Sequence, residues 1–346
     1  MSIETVELDD PRDDEILVRL EATGICHTDL TLKAVWAYET PMVFGHEGAG
    51  IVEAVGRQVE SIRVGDRVVL SYRSCRRCAQ CASGHPTYCS EFAALNASGT
   101  RPDGSTTMHQ ASGDVQASFF GQSSFASHAI ANQDNVVVVD DVDPSVAAPL
   151  GCGVQTGAGT VLNVLRPWER SSMAIFGGGA VGLSAVMAAA VSGATTIVVD
   201  PVESRRELAR ELGAAVVIDP KTIDPVEAIR EVTGGGSDFA LDTTAIPAVI
   251  RQGVDALGKQ GVLAVVGVGD PDVTISITEL ISGGKSIRGV IEGNATPQTF
   301  VPRLLEMHRR GELPVEKLIR RYAFEDIATA CADTTNGSTI KPVLVF

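Results

Sequence analysis

The sequence contains seven cysteines, and four of them lie within one fifteen-residue stretch: Cys75, Cys78, Cys81 and Cys89. Tetrahedral coordination of zinc by thiolates needs such a compact loop, and four protein ligands leave no position open for a substrate. The alternative is two disulfide bonds, which a reducing compartment disfavours. We therefore predict a structural zinc site in this cysteine loop, without chemistry of its own.

A second set of potential ligands is dispersed along the chain. Cys26 lies in the motif GICHTD, His46 in GHEG and Cys152 in GCG. Two thiolates and one imidazole would suit a catalytic zinc, which keeps its fourth position open for water or substrate. Because these residues are far apart in the sequence, their spacing alone also allows lone buried cysteines and a histidine satisfied within the core.

A glycine-rich segment indicates nucleotide binding. Gly177, Gly179 and Gly182 form the pattern G-x-G-x-x-G, with Ala180 and Val181 between the last two glycines. The first glycine permits a tight turn, the second lets the backbone approach a pyrophosphate, and the third lets the next helix pack closely on the strand. The amides at the start of that helix would face the phosphates. Alone the pattern is a weak signal, but here it follows an apolar strand and opens a helix.

Asp200 ends the next predicted strand, eighteen residues beyond Gly182. A carboxylate at about this distance binds the ribose hydroxyls of a dinucleotide. It would repel a 2′-phosphate, so we predict NAD rather than NADP as the cofactor. Arg205 follows shortly after, where it could touch the adenosine ribose or be a solvated helix residue.

The elements that must position these residues divide the chain into two regions. Residues 1–153 are β-rich and irregular, and they include a loop-like stretch between Cys75 and Phe120. From Ser172 onward, strands and helices alternate, which predicts a parallel, doubly wound sheet and an α/β fold. The predicted strands are 16–20, 50–55 and 66–70 in the first region, then 173–176, 195–200, 216–219, 239–241, 262–268 and 287–291. The predicted helices are 183–191, 203–212 and 299–310.

Composition limits the class of protein. A chain of 346 residues is long enough for two or three domains, and 44% apolar with 21% charged residues is typical of a globular protein. The net charge of −15 would repel phosphate backbones and anionic lipids, so we expect neither nucleic acid nor a membrane as partner. No apolar run reaches the length of a membrane span, and the acidic start lacks the pattern of a secretory signal. We therefore expect a cytoplasmic protein.

In their order along the chain, GICHTD, GHEG, the cysteine loop, GCG and the glycine pattern resemble the zinc-dependent medium-chain alcohol dehydrogenases over essentially the whole length. The segments that resemble the aryl-alcohol (benzyl-alcohol) branch in particular are FFGQSSF at 119–125, PLGCGVQTG at 149–157 and GGKSIRG at 283–289. The resemblance implies a β-rich GroES-like catalytic domain formed by residues 1–153 and 292–346. A Rossmann NAD-binding domain, residues 154–291, would be inserted between these parts, with the active site in the cleft between the domains.

The resemblance also implies roles for individual residues. Those at the catalytic zinc are its ligands Cys26, His46 and Cys152, the orienting carboxylate Asp29, Glu47 behind the metal, and Thr28, which would hydrogen-bond the substrate oxygen. Those at the cofactor are Thr156 beside the nicotinamide, Lys341 and His27 near the pyrophosphate, and Val266 and Val268 at the end of a strand. Those lining the substrate pocket are Tyr72, Phe119 and Phe120. The resemblance assigns no role to Cys331, which we interpret as a packing residue.

The sequence departs from the family in two places. Residues that form an opening strand usually precede the position of Ser2, so we expect this strand to be missing or the start to be assigned late. Many members also have a histidine five positions after the first zinc cysteine, at the end of a proton relay, whereas this chain has Thr31. Because a threonine is no base near neutral pH, the exit route of the proton stays open.

We therefore predict an NAD-dependent zinc alcohol dehydrogenase with two zinc ions per chain, one catalytic and one structural. It would oxidise primary aromatic or allylic alcohols to aldehydes, and catalyse the reverse reaction, as a homodimer or homotetramer. A general aliphatic alcohol dehydrogenase of the same family is the first alternative. A non-enzymatic, zinc-stabilised NAD-binding protein is the second, and it would bind one zinc instead of two.

Overall fold

The computed structural model describes residues 2–36 and 40–346. The chain forms two compact units. The first unit comprises Met1–Cys152, Thr296–Glu306 and Glu316–Phe346, and the second unit comprises Gly153–Ala295 and Met307–Val315. The dispersed ligand candidates and the cysteine loop belong to the first unit, and the glycine pattern belongs to the second.

Sixteen strands occur in the described residues. The strands before the second unit are β1 (Glu7–Leu8), β2 (Glu15–Gly24), β3 (Gly48–Val55), β4 (Arg67–Leu70), β5 (Met108–Gln110), β6 (Gly113–Val115), β7 (His128–Asn132) and β8 (Val136–Val139). Those of the second unit are β9 (Ser172–Phe176), β10 (Thr195–Val199), β11 (Val216–Ile218), β12 (Ser237–Asp242), β13 (Leu257–Val265) and β14 (Ser286–Gly289). The last two, again in the first unit, are β15 (Ile319–Ala323) and β16 (Lys341–Val345).

The α-helices lie between these strands. They are α1 (His27–Val35), α2 (Ala79–Ala82), α3 (Phe92–Asn96), α4 (Pro144–Ala147), α5 (Gly153–Gly159), α6 (Ala180–Val191), α7 (Glu203–Glu211), α8 (Pro225–Thr233), α9 (Pro247–Ala256), α10 (Ile277–Gly283), α11 (Pro297–Arg309) and α12 (Ile327–Asn336). Local sequence sets their ends: in α8, the side chain of Asp224 accepts hydrogen bonds from the first-turn amides, and Gly234 ends the helix in a left-handed conformation. None of the helices in the described residues is long and apolar enough to cross a membrane.

The second unit contains a parallel sheet of six strands. Their order is β11-β10-β9-β12-β13-β14. The chain starts in the middle at β9, builds outward to β11 and then crosses back to β12, which is the doubly wound arrangement. Strands β9 and β10 end in runs of buried apolar residues, MAIF and IVV, as expected where helices cover both faces of a parallel sheet. The predicted α/β fold class is confirmed.

The first unit is mostly antiparallel. Its main sheet has the order β15-β16-β2-β3-β4-β8, with β7 as a seventh strand on β2, and β1, β5 and β6 form a small separate sheet. Only β15 and β16 pair in parallel among the described strands of this unit's main sheet. Ile16, Val18 and Leu20 alternate along β2 and are buried in a core of aliphatic side chains. This sheet holds the segments that end at the ligand candidates.

Two predictions of local structure are wrong. The stretch between Cys75 and Phe120 is not a loop, because it contains α2, α3, β5 and β6, whose three to five residues are too short to show a periodicity. The strand predicted at 262–268 is β13, so Val266 and Val268 follow the strand instead of ending it. The polar sequence GKQG at 258–261 is typical of a turn, but it forms part of β13. The pairing of β13 with β12 is irregular there, and Gln260 adopts a left-handed conformation (φ 60°).

Candidate functional site

Four side chains from three separate segments of the first unit meet at one point. Cys26 precedes α1, His46 and Glu47 precede β3, and Cys152 lies immediately before α5. One potential ligand atom of each lies within 4.8 Å of those of the others. The fold therefore brings together the dispersed residues whose proximity their spacing could not predict.

Asp29 fixes the orientation of His46. Its Oδ1 lies 2.7 Å from Nδ1 of His46, and both side chains are buried. Asp29 also accepts hydrogen bonds from the backbone amides of Cys26 (2.9 Å) and Gly45 (3.1 Å). One carboxylate thus links the two segments that carry the thiol of Cys26 and the imidazole of His46. A carboxylate in this position sets the tautomer of a metal-binding histidine.

The residues present fit a zinc ion. The Nε2 of His46 is buried and makes no hydrogen bond to the described residues, although buried polar atoms normally have a partner. This nitrogen belongs to the same cluster as the thiols of Cys26 and Cys152. Three such donors leave one position of a tetrahedral centre open, which is the composition of a catalytic zinc site. We refer to Cys26, His46 and Cys152 as the ligand set.

The surroundings of the ligand set shift the pKa values of two of its members. A hydrogen bond with Cys152 lowers the pKa of the Cys26 thiol well below its ordinary value, and His46 adds to this effect against the opposing effect of burial. Burial lowers the pKa of His46, but the Asp29 carboxylate outweighs it and holds that pKa well above its ordinary value. The thiolate is the form of cysteine that binds metal, and metal binding displaces protons from such ligands.

Glu47 forms a buried ion pair with Lys341. The Nζ of Lys341 lies 2.9 Å from each carboxylate oxygen of Glu47 and donates to the carbonyl of Ile25 at 3.2 Å. Burial raises the pKa of Glu47 to about 7, against the opposing effect of Lys341. A Cβ at Gly24 would collide with this carboxylate, so a larger residue there would have to displace the end of the Glu47 side chain. Lys341 is only 3% exposed. The sequence did not predict Glu47 as the partner of its ammonium, and the contact of Lys341 with a pyrophosphate stays a prediction.

The cysteine loop is also arranged for a metal. The ligand atoms of Cys75, Cys78, Cys81 and Cys89 lie within 4.8 Å of one another. The sulfurs of Cys78 and Cys81 are 3.5 Å apart, far longer than a disulfide and close to the roughly 3.8 Å between two sulfurs that share a tetrahedral zinc. Backbone hydrogen bonds with Cys81 and Ser90 lower the pKa of Cys78 to about 5. None of the seven cysteines forms a disulfide bond, so no disulfide competes with zinc.

Two of the three predicted pocket aromatics contact the ligand imidazole directly. The ring of Phe120 stacks on His46 at 4.4 Å between centroids and an interplanar angle of 25°. Phe119 meets the same imidazole edge-on at 5.6 Å. Tyr72 packs on Phe92 at 5.7 Å and lines a cavity of about 240 Å³ that borders the cysteine loop. All three predicted aromatics are buried in one cluster of the first unit.

The residues around Cys26 differ in exposure. The Oγ1 of Thr28 lies 3.6 Å from the sulfur of Cys26, beside the ligand set. His27 is exposed at the start of α1, and Thr31 is half-buried on the same helix. Cys331 packs at the edge of an apolar cluster that includes Ile25, in keeping with a packing residue.

In the second unit, the glycine pattern forms a turn between β9 and α6. Gly177 has a φ of 99°, which favours glycine. A Cβ at Gly182 would collide with the carbonyl of Gly177, so this glycine is required for close packing of the helix on the turn. A Cβ at Gly179 would meet nothing within 4 Å, so the backbone here is open to an approaching group. Ala180 and Val181 then begin α6. This geometry fits a pyrophosphate at the helix start.

Asp200 is linked to that turn. Its Oδ2 accepts a hydrogen bond from the amide of Gly178, and its Oδ1 accepts one from the amide of Val202, each at 2.7 Å. The guanidinium of Arg205 lies 3.9 Å from Oδ2. The Arg205 side chain is partly buried at 20% exposure, and its contact with the adenosine ribose stays a prediction. The sequence did not predict that the carboxylate braces the glycine turn.

Glu292, Gln122 and Ser71 are polar residues that sequence reasoning missed. Glu292 is buried in the second unit, where it accepts hydrogen bonds from Gln155 at 2.9 Å and from Thr156 at 3.4 Å. Gln122 and Ser71 are buried in the first unit close to the ligand set. Their partners are distant in sequence, and a lone glutamine, serine or glutamate gives no signal in composition or spacing.

Two family models match the chain. Residues 12–141 match the alcohol dehydrogenase GroES-like domain, and residues 180–308 match the zinc-binding dehydrogenase domain. The chain is 45% identical to geraniol dehydrogenase of Castellaniella defragrans over 352 aligned positions, covering 100% of this chain and 94% of that protein.

Solved structures agree with these matches. The crystal structure of an alcohol dehydrogenase zinc-binding domain protein from Burkholderia ambifaria superposes with a TM-score of 0.97 at 49% identity, covering 100% of this chain and 95% of that one. Benzyl alcohol dehydrogenase from Acinetobacter calcoaceticus superposes with a TM-score of 0.94 at 46% identity, covering 99% and 94%.

Proposed function

Since the chain belongs to the zinc-dependent alcohol dehydrogenase family, we propose that its substrates are primary alcohols with an aromatic or allylic group next to the carbinol carbon. The reaction is NAD-linked oxidation of the alcohol to the aldehyde, and its reverse. The observation that carries the proposed substrate class is the pair of aromatic rings, Phe119 and Phe120, that contact the ligand imidazole of His46.

In this proposal, Phe119 and Phe120 form walls of the substrate pocket. Flat, unsaturated substrates would gain most binding free energy from packing against these rings. Aromatic pairs contribute about 0.5–1.5 kcal/mol beyond the burial of their area. That amount corresponds to about one decade in kcat/KM. The relatives support the same class, because one oxidises geraniol, an allylic alcohol, and another oxidises benzyl alcohol.

Each part of the site has a separate task in this proposal. When bound at Cys26, His46 and Cys152, zinc would serve as a Lewis acid for the alcohol oxygen, and bound NAD would serve as the hydride acceptor. Asp29 holds the imidazole of His46 in place. The hydroxyl of Thr28, whose Oγ1 lies 3.6 Å from the sulfur of Cys26, would accept a hydrogen bond from the substrate and pass its proton outward. Thr31 can extend such a chain of hydrogen bonds but does not act as a base.

The test is a comparison of kcat/KM with NAD for benzyl alcohol, geraniol and ethanol. We expect the first two to exceed ethanol by at least about tenfold. Phe120→Ala should shrink this ratio. Phe300→Ala is the matched control, because this ring is similarly buried (5% against 8% exposed) but lies in α11 outside the aromatic cluster around His46. If ethanol equalled benzyl alcohol in the unmodified protein, the substrate class would be wrong, while the alcohol dehydrogenase chemistry would stand.

We also propose that the protein assembles into a homodimer or homotetramer. Strand β14 is the outer strand of the second unit's sheet, and its residues are exposed. Ile277, Ile281 and Ile287 expose apolar surface on α10 and β14. An exposed apolar sheet edge of this kind is a surface for pairing with another chain. Light scattering on Ile281→Glu and on the unmodified protein would test this assignment.

The cysteines support a cytoplasmic location. None of the seven cysteines forms a disulfide bond, and six of them belong to the two groups that could hold a metal. Thiols persist in a reducing compartment. With a net charge of −15, the protein is not suited to nucleic acid, and its partner is the small alcohol or aldehyde.

A further inference from the structure

A buried glutamine connects the segment of His46 to strand β4. The Nε2 of Gln122 donates hydrogen bonds to the backbone carbonyls of His46 (3.0 Å) and Ser71 (3.3 Å). Its Oε1 accepts a hydrogen bond from the amide of Gly48 at 3.1 Å. Gln122 is fully buried, so these bonds have no competition from water. The side chain of Gln122 thus hydrogen-bonds the backbone on both sides of Glu47 and connects it to Ser71, the residue that follows β4.

The serine at that position continues the connection to the third ligand. The Oγ of Ser71 donates a hydrogen bond of 2.6 Å to the carbonyl of Gly151, the residue before Cys152. Ser71 is fully buried as well. A Cβ at Gly151 would collide with the carbonyl of Leu70, so this segment lies directly against the end of β4. A continuous chain of hydrogen bonds therefore runs from His46 through Gln122 and Ser71 to the peptide that carries Cys152.

The turn that carries Gln122 is held in an unfavourable conformation. Phe120 and Ser123, on either side of Gln122, both have a φ of 50°, in the left-handed region that non-glycine residues rarely adopt. Such conformations persist where the surroundings determine them, and they concentrate at functional sites. Here the ring of Phe120 stacks on the imidazole of His46, and the side-chain amide of Gln122 donates to the backbone carbonyl of His46.

We propose that Gln122 and Ser71 are positioning residues that set the distance between His46 and Cys152 for zinc. This inference rests on the proposed function, since it concerns the same ligand set. Asp29 ties His46 to Cys26 through direct hydrogen bonds. Cys152 comes from a distant segment, and the hydrogen bonds of Gln122 and Ser71 join that segment to the backbone of His46. Metal sites tolerate deviations of only about 0.2 Å in ligand distances. Loosening the chain through Gln122 and Ser71 would therefore weaken metal binding without removing any ligand.

The test uses the full-length zinc-loaded protein and two variants, Ser71→Ala and Gln122→Met. Zinc is withdrawn with a graded chelator series, and the affinities of the two sites are resolved. We expect the affinity at the ligand set to fall by about tenfold in each variant, as for other residues that orient metal ligands. The cysteine loop is the internal reference and should keep its affinity. Cobalt substituted at the ligand set should show a changed visible spectrum.

Ser171→Ala is the matched control. Ser171 is a buried serine of the second unit whose hydroxyl donates to the carbonyl of Trp168 at 2.7 Å, much as that of Ser71 donates to Gly151, but it belongs to none of the segments that carry the ligand set. The double variant of Ser71 and Gln122 should lose less affinity than the sum of the single losses, because both act through one chain.

Unchanged zinc affinity at the ligand set in Ser71→Ala would overturn the proposal, even if thermal stability fell. Fully additive losses in the double variant would also overturn it, since they would show two independent effects. The measurement requires no turnover, so it separates this inference from the proposed function. A protein that oxidised none of the alcohols yet lost zinc affinity in these variants would contradict the proposed function and uphold the positioning role.

Discussion

Replacement of Asp200 would separate a predicted role of this carboxylate from an observed one. The predicted role is the choice between NAD and NADP. The observed role is to accept hydrogen bonds from the amides of Gly178 and Val202, each at 2.7 Å. Asp200→Asn removes the negative charge but keeps one acceptor oxygen and nearly the same shape. Asp200→Gly removes the charge and both hydrogen bonds. The two variants should therefore have similar effects on cofactor choice and different effects on stability.

The expected magnitudes follow from charge and burial. Two unit charges about 4 Å apart interact by about 4 kcal/mol at the effective dielectric constant of protein sites. Removing the repulsion of a 2′-phosphate should thus raise the ratio of kcat/KM for NADP over NAD by roughly 10²–10³-fold in either variant. Hydrogen bonds to a charged group contribute about 1.5–3 kcal/mol each. Since Asp200 is only 2% exposed, Asn should cost about 2 kcal/mol of unfolding free energy and Gly about 3–6 kcal/mol.

The assays are kcat/KM with both cofactors and equilibrium unfolding in denaturant. The unmodified protein should strongly prefer NAD. Asp219→Asn is the matched control, because Asp219 directly follows the neighbouring strand β11 as Asp200 follows β10. Its carboxylate likewise accepts a hydrogen bond from a backbone amide, that of Lys221 (3.0 Å), and it pairs with an arginine, Arg206 (3.1 Å). It should leave the cofactor ratio unchanged. If Asp200→Asn lowered stability but did not move the ratio, Asp200 would be a brace for the glycine turn and nothing more.

Two further predictions concern the first unit. Cys78→Ser should lower the zinc content by one ion per chain, and it should lower the melting temperature because a four-ligand site contributes folding free energy. Cys331→Ser is the control. Retention of both zinc ions in Cys78→Ser would contradict the structural site. Asp114, followed by Asp9, raises the pKa of His109 above its usual range, so the stability from this contact is complete below about pH 6.5 and is lost as the pH rises through the elevated pKa. Denaturant titrations across this range should show that decline in the unmodified protein and not in His109→Gln.

The parts that the sequence predicts well are those whose determinants are local. The cysteine loop needs only one short stretch, and its four ligand atoms come together as the spacing indicates. The glycine pattern likewise lies between a strand and a helix that the apolar pattern had indicated. The catalytic ligand set is different, because Cys26, His46 and Cys152 come from segments that only the folded sheet brings together. For them, the resemblance to a family supplied what spacing could not.

The partners of charged residues are the least predictable part. Lys341 and Glu47 pair across 294 positions of the sequence, and nothing near either residue indicates the other. The resemblance predicts a contact of Lys341 with the pyrophosphate, which stays a prediction, but it does not predict the buried ion pair that this ammonium forms with Glu47. Sequence patterns also predict strand ends poorly where a polar segment, such as 258–261, belongs to a strand with irregular pairing. Burial and pairing, rather than propensity, decide such positions.

The organisation of the ligand set has a consequence for zinc chemistry in this fold. The three ligands themselves specify only which metal binds, while the distances between them depend on groups that never touch it. Asp29 joins the segments of Cys26 and His46, and Gln122 with Ser71 joins those of His46 and Cys152. Placing the same two cysteines and one histidine on another sheet would therefore reproduce the donor set but not its geometry. The open fourth position, on which alcohol binding depends, therefore requires the residues that join the ligand segments as much as it requires the ligands.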